Sequence, residues 1–400
     1  MPDGPEGKSV GLKIGIALGL GIVLLLLAQG LSLLFGPKAR AAERSRIRVR
    51  LCREIRALRF EGPELWIDGL RRYLQPATGG LAILVEEAKK EGAPPGLRIE
   101  NGGQEYRLPL ASLHLQWKGP ARIRLGKEKT WRRLFGSLQL LRRGGGWVPN
   151  LRIDMELYLS GVLHEEMGAH FPLEALRAQA IAARSYALSC IARSGSRSFD
   201  LYGDDRSQVF HEVSEEPRIL EAIRLSLGQT LTYGGSTLRA YYHSTCGGRT
   251  RDGYLRFRDV PRDALPPVVC DFCKASPLYR WTRKIPKKAL QGAGIAVRGE
   301  TPGFEVLQRS PRGDWERLRI KGGGRTSAPF SARLLRKLGS LPSLWIQSQT
   351  YRKGVFVLRG RGFGHGVGLC QWGARGQALL GRSAKEILSF YFPRAKLRIP

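Results

Sequence analysis

Glu165 and Glu166 close a segment in which Met155, Leu159, Val162 and Leu163 recur at helical spacing. On a helical wheel Glu166 falls in the middle of the stripe set by Met155, Leu159 and Val162, and Glu165 lies at its edge. A carboxylate facing an apolar wall loses hydration, so its pKa rises. A general acid working near neutral pH needs that shift. A glutamate at a helix end can equally pair with one of the many arginines, and spacing by itself does not choose between the two roles.

A second cluster is built from His243-x-x-Cys246 and Cys270-x-x-Cys273. Paired ligands with two-residue gaps grip opposite sides of a tetrahedral zinc. His243, Cys246, Cys270 and Cys273 would make a closed, structural site. The same residues allow a disulfide from Cys246 to Cys270 or Cys273 in an oxidising compartment, or unpaired thiols. Six cysteines are too few for a disulfide scaffold in a chain of 400 residues. Cys190 sits on an apolar helix face and reads as core, and Cys52 as a small buried residue. A third pattern alternates Gly360, Gly362, Gly364, Gly366 and Gly368 with Arg361, Phe363, His365 and Val367. As a strand, this would have one face made only of glycine, open to a backbone or a flat ligand. The spacing is not that of a dinucleotide-binding loop.

The elements that must position these groups are mixed. Arg46 to Arg50, Leu65 to Ile67 and Tyr106 to Leu110 read as strands, and residues 46–150 as mainly β. Asp154 is an N-cap candidate for the helix ending at Glu166. Gly168 and Pro172 interrupt it. A second helix follows from Pro172, at the first helical position, to about Arg193, with the stripe Leu173, Leu176, Ala180, Ala183, Ala187 and Cys190. Strands return at Leu231 to Tyr233 and Leu238 to His243. Residues 151–275 thus hold the helix pair and the Cys/His cluster, 276–355 a further β part, and 356–395 the glycine ladder and a short helix with a Ser383/Glu386 capping box. The fold class is α+β.

Residues 1–13 form a short tail and 38–45 a linker. Between them, Ile14 to Pro37 carries no charge and is long enough to span a bilayer. It reads as an uncleaved anchor, with a cleaved signal the rival because small residues stand near Ala39 to Ala42. Lys38, Arg40, Arg44, Arg46, Arg48 and Arg50 follow the span, which under the positive-inside rule would keep the bulk of the chain inside the cell. Lys plus Arg number 66 against 34 acids, a formal charge of +32. Such a field favours a polyanion: nucleic acid, anionic lipid or anionic cell wall. No helix-turn-helix, zinc-finger or aromatic-interleaved basic motif supports nucleic acid.

Three stretches resemble the SpoIID/LytB family of bacterial cell-wall proteins. They are Gly161 to Met167 with Phe171 to Ala187, then Ala240 to Thr250, then Gly362 to Ala374. With looser parts the resemblance covers residues 46–395. It implies a lytic transglycosylase that cuts peptide-stripped peptidoglycan glycan strands, with Glu166, which precedes Met167, as the acid. It implies Arg184 as a partner in the site, and Arg177, Gln179, Tyr242, Ser244, His365, Gln371 and Trp372 as substrate-binding positions. One carboxylate suffices for this reaction, because the muramic acid's own 6-hydroxyl attacks the anomeric carbon and no water need be activated. No cofactor is needed for that chemistry. The resemblance also overrides the positive-inside reading and places the chain at the bacterial membrane, single-pass, with its bulk extracytoplasmic. LytB-like members instead enhance a separate wall amidase, which leaves a non-catalytic glycan-binding role as the alternative. Some relatives bind zinc after the long helix, but Asp200 to Val209 has no cysteine there.

Overall fold

The computed structural model describes residues 46–85, 96–108 and 112–399. The expected anchor at Ile14 to Pro37 lies outside them. Among the described residues no helix is long and apolar enough to cross a membrane. The fold is α+β, with eight α-helices among the described residues. The chain divides into two units, one holding residues 52–155 with the strand residues up to Arg48, the other Val49–Leu51 with everything from Glu156.

The first unit is built of antiparallel sheets. One has the order Arg132–Leu134, Ala121–Leu125, Ala57–Glu61, Leu81–Val85, Leu97–Asn101 and Gln104–Leu108. Alternate residues point inward, so Leu58, Phe60, Ile99 and Ile123 are buried while their neighbours face solvent. Gly102 and Gly103, at φ +57° and +84°, join the last two strands as a two-residue turn, which needs positive φ at both positions. The other sheet pairs Gly146–Asp154 with Ser137–Arg143, then Ser112–Trp117, Leu65–Ile67 and Arg72–Leu74. Its tight turn is Gly144–Gly145, and Gly146 already belongs to the strand.

The second unit holds helix α1 (Met155–Glu166) from its second residue onward and helix α2 (Leu173–Ser194). Pro172 is the N-cap of α2 and not its first helical residue. Ala178, Ala180, Ala182, Ala183 and Ala187 are completely buried. These small side chains let four elements close on α2: α3 (Pro217–Leu225), the strand Thr230–Tyr233, α7 (Gln371–Leu379) and α8 (Ala384–Tyr391). Between them in sequence lie α4 (Gly253–Phe257), α5 (Lys287–Gly292) and α6 (Ala332–Leu338). A separate apolar cluster centred on Trp281, Ile285, Leu318, Leu335, Phe356 and Leu358 is covered by α5, α6 and the sheet Arg280–Pro286, Val355–Arg361 and Ile346–Arg352. The capping box at Ser383 and Glu386 is formed.

The glycine ladder is not the strand that its period of two suggests. The strand Val355–Arg361 takes in only the first glycine of the ladder, Gly360. Gly362, Gly364, Gly366 and Gly368 all take positive φ, from +70° to +101°. The missing side chains of Gly362, Gly364 and Gly368 make room for the segment Tyr241 to Cys246, and that of Gly366 for Arg312 and Arg251. A Cβ on Gly362 would lie 2.9 Å from the Cys246 carbonyl oxygen, one on Gly364 3.0 Å from His243 Cβ, and one on Gly368 would overlap the Tyr241 carbonyl. Of the expected strand Leu238 to His243, only Tyr242–His243 is extended, pairing in parallel with Leu369–Cys370.

Candidate functional site

Glu166 is the last residue of α1, whose Met155, Tyr158, Leu159 and Val162 are buried. The helix stops because Gly168 turns left-handed at φ +74° and its N–H bonds back to the Leu163 carbonyl. Glu166 is therefore half-buried at a helix C-terminus, where the backbone's partial negative charge disfavours a carboxylate. Burial raises its pKa above the ordinary carboxyl value, and the charge of Glu165 adds to this. Two hydrogen bonds act in the other direction. The Val209 N–H donates to Oε1 at 3.3 Å, and Gln371 Nε2 donates to Oε2 at 3.3 Å. The carboxyl group is thus held at both oxygens while its proton is retained to higher pH than usual.

Gly161 allows this arrangement. A Cβ there would collide with the Glu212 carbonyl and lie 2.7 Å from the Phe210 ring. Without one, the Val209 to Glu212 chain lies against α1. Two phenols complete the surroundings. Tyr158 donates to Gln208 Oε1 at 3.0 Å, and Gln208 Nε2 donates to the Ala183 carbonyl at 3.1 Å. Tyr242 is buried with its hydroxyl unpartnered. Burial holds both hydroxyls well above the usual phenol range, and each also feels the Glu166 charge. Tyr158, Gln208, Val209 and Gly161 were not singled out from sequence. The signal available for one of them was a glycine in a helix interior, which costs about 1 kcal/mol against alanine and so marks a close approach.

Of the expected site residues, Gln371 touches Glu166 directly and Tyr242 lies within its field. Trp372 is half-buried, its ring edge-on to Phe171 at 5.6 Å, and its backbone N–H donates to the Ser244 carbonyl at 3.0 Å. Arg184 is placed elsewhere. It is buried in a two-pronged ion pair with Glu156, Nε to Oε1 at 2.9 Å and Nη2 to Oε2 at 2.6 Å. Its Nη1 donates to the Ser226 and Gln229 carbonyls. It ties α1 to α2 and the turn after α3, and makes no bond to Glu166. Arg177 pairs with Glu174 at 2.7 Å. Gln179 is wholly buried in α2 with its side-chain amide unpartnered. Neither bonds to Glu166.

The two histidines of the site hold the Val367 backbone between them. His243 Nδ1 donates to the Val367 carbonyl at 3.1 Å, and His365 Nδ1 accepts from the Val367 N–H at 3.1 Å. The proton of His243 is therefore on Nδ1 and that of His365 on Nε2. Burial pushes the His243 pKa down to about 4, so it is neutral. His365 lines a cavity of about 560 Å³ with Arg251, Arg256, Arg333 and Arg336.

The thiol cluster differs from the expected one. Cys246, Cys270, Cys273 and Cys370 are all buried, and their sulfurs lie within 4.8 Å of one another. No disulfide joins them. His243 is not in the group. The parallel pairing that sets His243 against Cys370 brings the Cys370 sulfur to the Cys246 N–H at 3.2 Å and turns the imidazole to Val367. Cys190 is buried as expected, with the Arg239 guanidinium at 3.0 Å from its sulfur.

Comparison with known proteins assigns the class. The model of the SpoIID family, stage II sporulation protein, matches residues 145–233, which contain α1, α2 and Glu166. The chain belongs to the SpoIID/LytB family. It is 30% identical over 263 residues to an uncharacterized protein of Brachyspira hyodysenteriae, covering 64% of this chain and 70% of that one. Stage II sporulation protein D of Bacillus amyloliquefaciens is 27% identical over 290 residues, covering 67% of this chain and 80% of its own. The amidase enhancer of Bacillus subtilis is 25% identical over 299 residues, and there the chain spans only 40% of the relative's length.

Proposed function

We propose that this chain acts on the bacterial cell wall as a peptidoglycan lytic transglycosylase, with Glu166 as its single proton carrier. The observation that carries the reading is the carboxyl group of Glu166, fixed at both oxygens by Val209 and Gln371 and held by burial above its ordinary pKa. Among the described residues no second carboxylate hydrogen-bonds to it. In the first step Glu166 gives its proton to the oxygen between N-acetylmuramic acid and N-acetylglucosamine, and that C–O bond breaks. The muramic acid 6-hydroxyl then bonds to the anomeric carbon and returns its proton to the carboxylate. The product is a 1,6-anhydro sugar, and no water is consumed. Two carboxylates are the usual need of glycosidases that must also activate water or attack directly. Glycan strands stripped of stem peptides are the proposed substrate on the strength of the family resemblance, and the half-buried Glu166 remains partly open to solvent. We place the chain at the membrane through Ile14 to Pro37, with its bulk extracytoplasmic.

The likeness to an amidase enhancer favours a second reading, in which the same residues bind glycan for a partner amidase without cutting it. The test is to incubate the chain and its Glu166→Gln variant with denuded glycan strands and to analyse products by mass spectrometry. Anhydro-ended fragments are expected from the wild type, with the rate falling at least about 100-fold in the variant, the usual contribution of a general acid. Glycan bound by both proteins with no fragments from either would sink the enzyme and leave the enhancer.

A further inference from the structure

From the four sulfurs of Cys246, Cys270, Cys273 and Cys370 we infer a tetrathiolate zinc site that clamps the segment carrying Gln371 against the Cys246 and Cys270–Cys273 segments. In a tetrahedral zinc site with Zn–S bonds of about 2.3 Å, sulfurs stand about 3.8 Å apart. Here all four lie within 4.8 Å, and Cys246 and Cys273 are 3.5 Å apart, well beyond the roughly 2.05 Å of a disulfide. The donors come from three separate stretches of chain, and all are buried.

The surroundings are those of charged sulfurs. The Gly248 N–H points at Cys246 Sγ at 3.4 Å. The Gly373 N–H, at 3.4 Å, and the Cys246 N–H, at 3.2 Å, both point at Cys370 Sγ. The Tyr391 hydroxyl lies 3.1 Å from Cys270 Sγ and donates to it once the sulfur is a thiolate. Cys370 is also the N-cap of α7, a helix end that favours negative charge. Two glycines are required for these bonds. Gly247, at φ +74°, turns the chain so that Gly248 reaches back. A Cβ on Gly373 would lie 2.9 Å from Cys270 Sγ and overlap the Tyr391 hydroxyl. Binding exchanges thiol protons for the metal, so the ion is bound more tightly as pH rises. A tetrahedral four-sulfur donor set takes zinc or iron. Zinc is chosen because the site has no open position and the proposed chemistry moves protons, not electrons.

The consequence for function follows from chain order. Cys370 immediately precedes Gln371, whose side chain holds Glu166 Oε2, and Trp372, whose backbone N–H holds the Ser244 carbonyl. Gln371 is thus a positioning residue anchored by the metal. This consequence rests on the reading of Glu166 as proton carrier; the metal site does not.

The test is elemental analysis of the full chain purified without chelator. One equivalent of zinc is expected. Cys370→Ser and Cys273→Ser should lose it, while Cys190→Ser and His243→Ala keep it. Replacing zinc by cobalt in the wild type should produce the intense sulfur-to-cobalt absorption of a tetrathiolate. Where a cysteine variant fails to fold, the wild type still decides. A mercurial that captures four thiols should release one zinc to a colorimetric indicator. A disulfide among the four in non-reduced peptide maps, four free thiols with no metal, iron in place of zinc, or loss of zinc in His243→Ala would each overturn the proposal. Gln371→Ala should keep the zinc and cleave glycan more slowly. Zinc present with no cleavage by the wild type would refute the transglycosylase alone.

Discussion

At the scale of single residues, two carboxyl groups of the α1–α2 pair do opposite jobs. Burial raises the pKa of Glu166, whereas the Glu156 carboxylate is paired with the Arg184 guanidinium. The first predicts a pH dependence with a definite sign. Because the folded-state pKa of Glu166 is raised, cleavage should be full at low pH and fall as pH climbs through that raised value, above the ordinary carboxyl range. A pH–rate profile on denuded glycan checks this, and Gln371→Ala should move the limb to higher pH, since that hydrogen bond lowers the Glu166 pKa. The same shift bears on stability. A raised pKa contributes stability below the unfolded value and loses it as pH rises through the folded one. Glu166→Gln should therefore melt higher than wild type near pH 8, with the gap closing in acid. For Arg184→Ala the expectation is a loss of about 3–5 kcal/mol, because the buried Glu156 carboxylate would lose its two-pronged counter-charge. Chemical denaturation measures it. The paired change Glu156→Gln with Arg184→Met should recover part of that loss, which a catalytic arginine would not do.

At the scale of elements, glycines decide which segments can touch. Gly161 lets the Val209 to Glu212 chain lie on α1, and the ladder from Gly362 to Gly368 lets Tyr241 to Cys246 nest against it. Gly161→Ala should push Val209 away from Glu166, lowering cleavage and melting temperature together. Gly368→Ala adds strain at positive φ to an overlap with the Tyr241 carbonyl, and should cost about 1–3 kcal/mol or prevent folding. Thermal melts and glycan product assays distinguish the two. The ladder also shows where pattern reading fails. Alternation with period two is the mark of a strand, but repeated positive φ at alternate residues has the same period and a different shape. No count of apolar residues tells them apart.

At the scale of the whole molecule the dominant fact is a formal charge of +32. Such an excess promotes long-range attraction to polyanions that salt screens within about 8 Å at physiological ionic strength. Binding to purified anionic wall polymer should weaken steeply between low and high salt, and so should binding to denuded glycan, whose muramic acid lactyl groups carry free carboxylates. Sedimentation of the chain with wall fragments across a salt series reads this out. Equal binding at all salt concentrations would mean that the charge is only a solvated surface.

What the chain declares by order of residues alone is local. The α1 stripe, the glycine stop at Gly168, the alanine-rich α2 and the Ser383 capping box are contacts within a few residues, and each was legible because helix periodicity and capping act over that range. Glu166 was legible for the same reason, since its burial follows from its place on a helical face. The ion pair of Arg184 with Glu156, the Val209 and Gln371 bonds to Glu166, and Cys370 in place of His243 join residues far apart in sequence. Only the parallel pairing of Tyr242–His243 with Leu369–Cys370, and the packing of α1, α2 and α7, selected those partners. Side chains of the right type recur many times along the chain, and it is register and close packing that decide which of them meet.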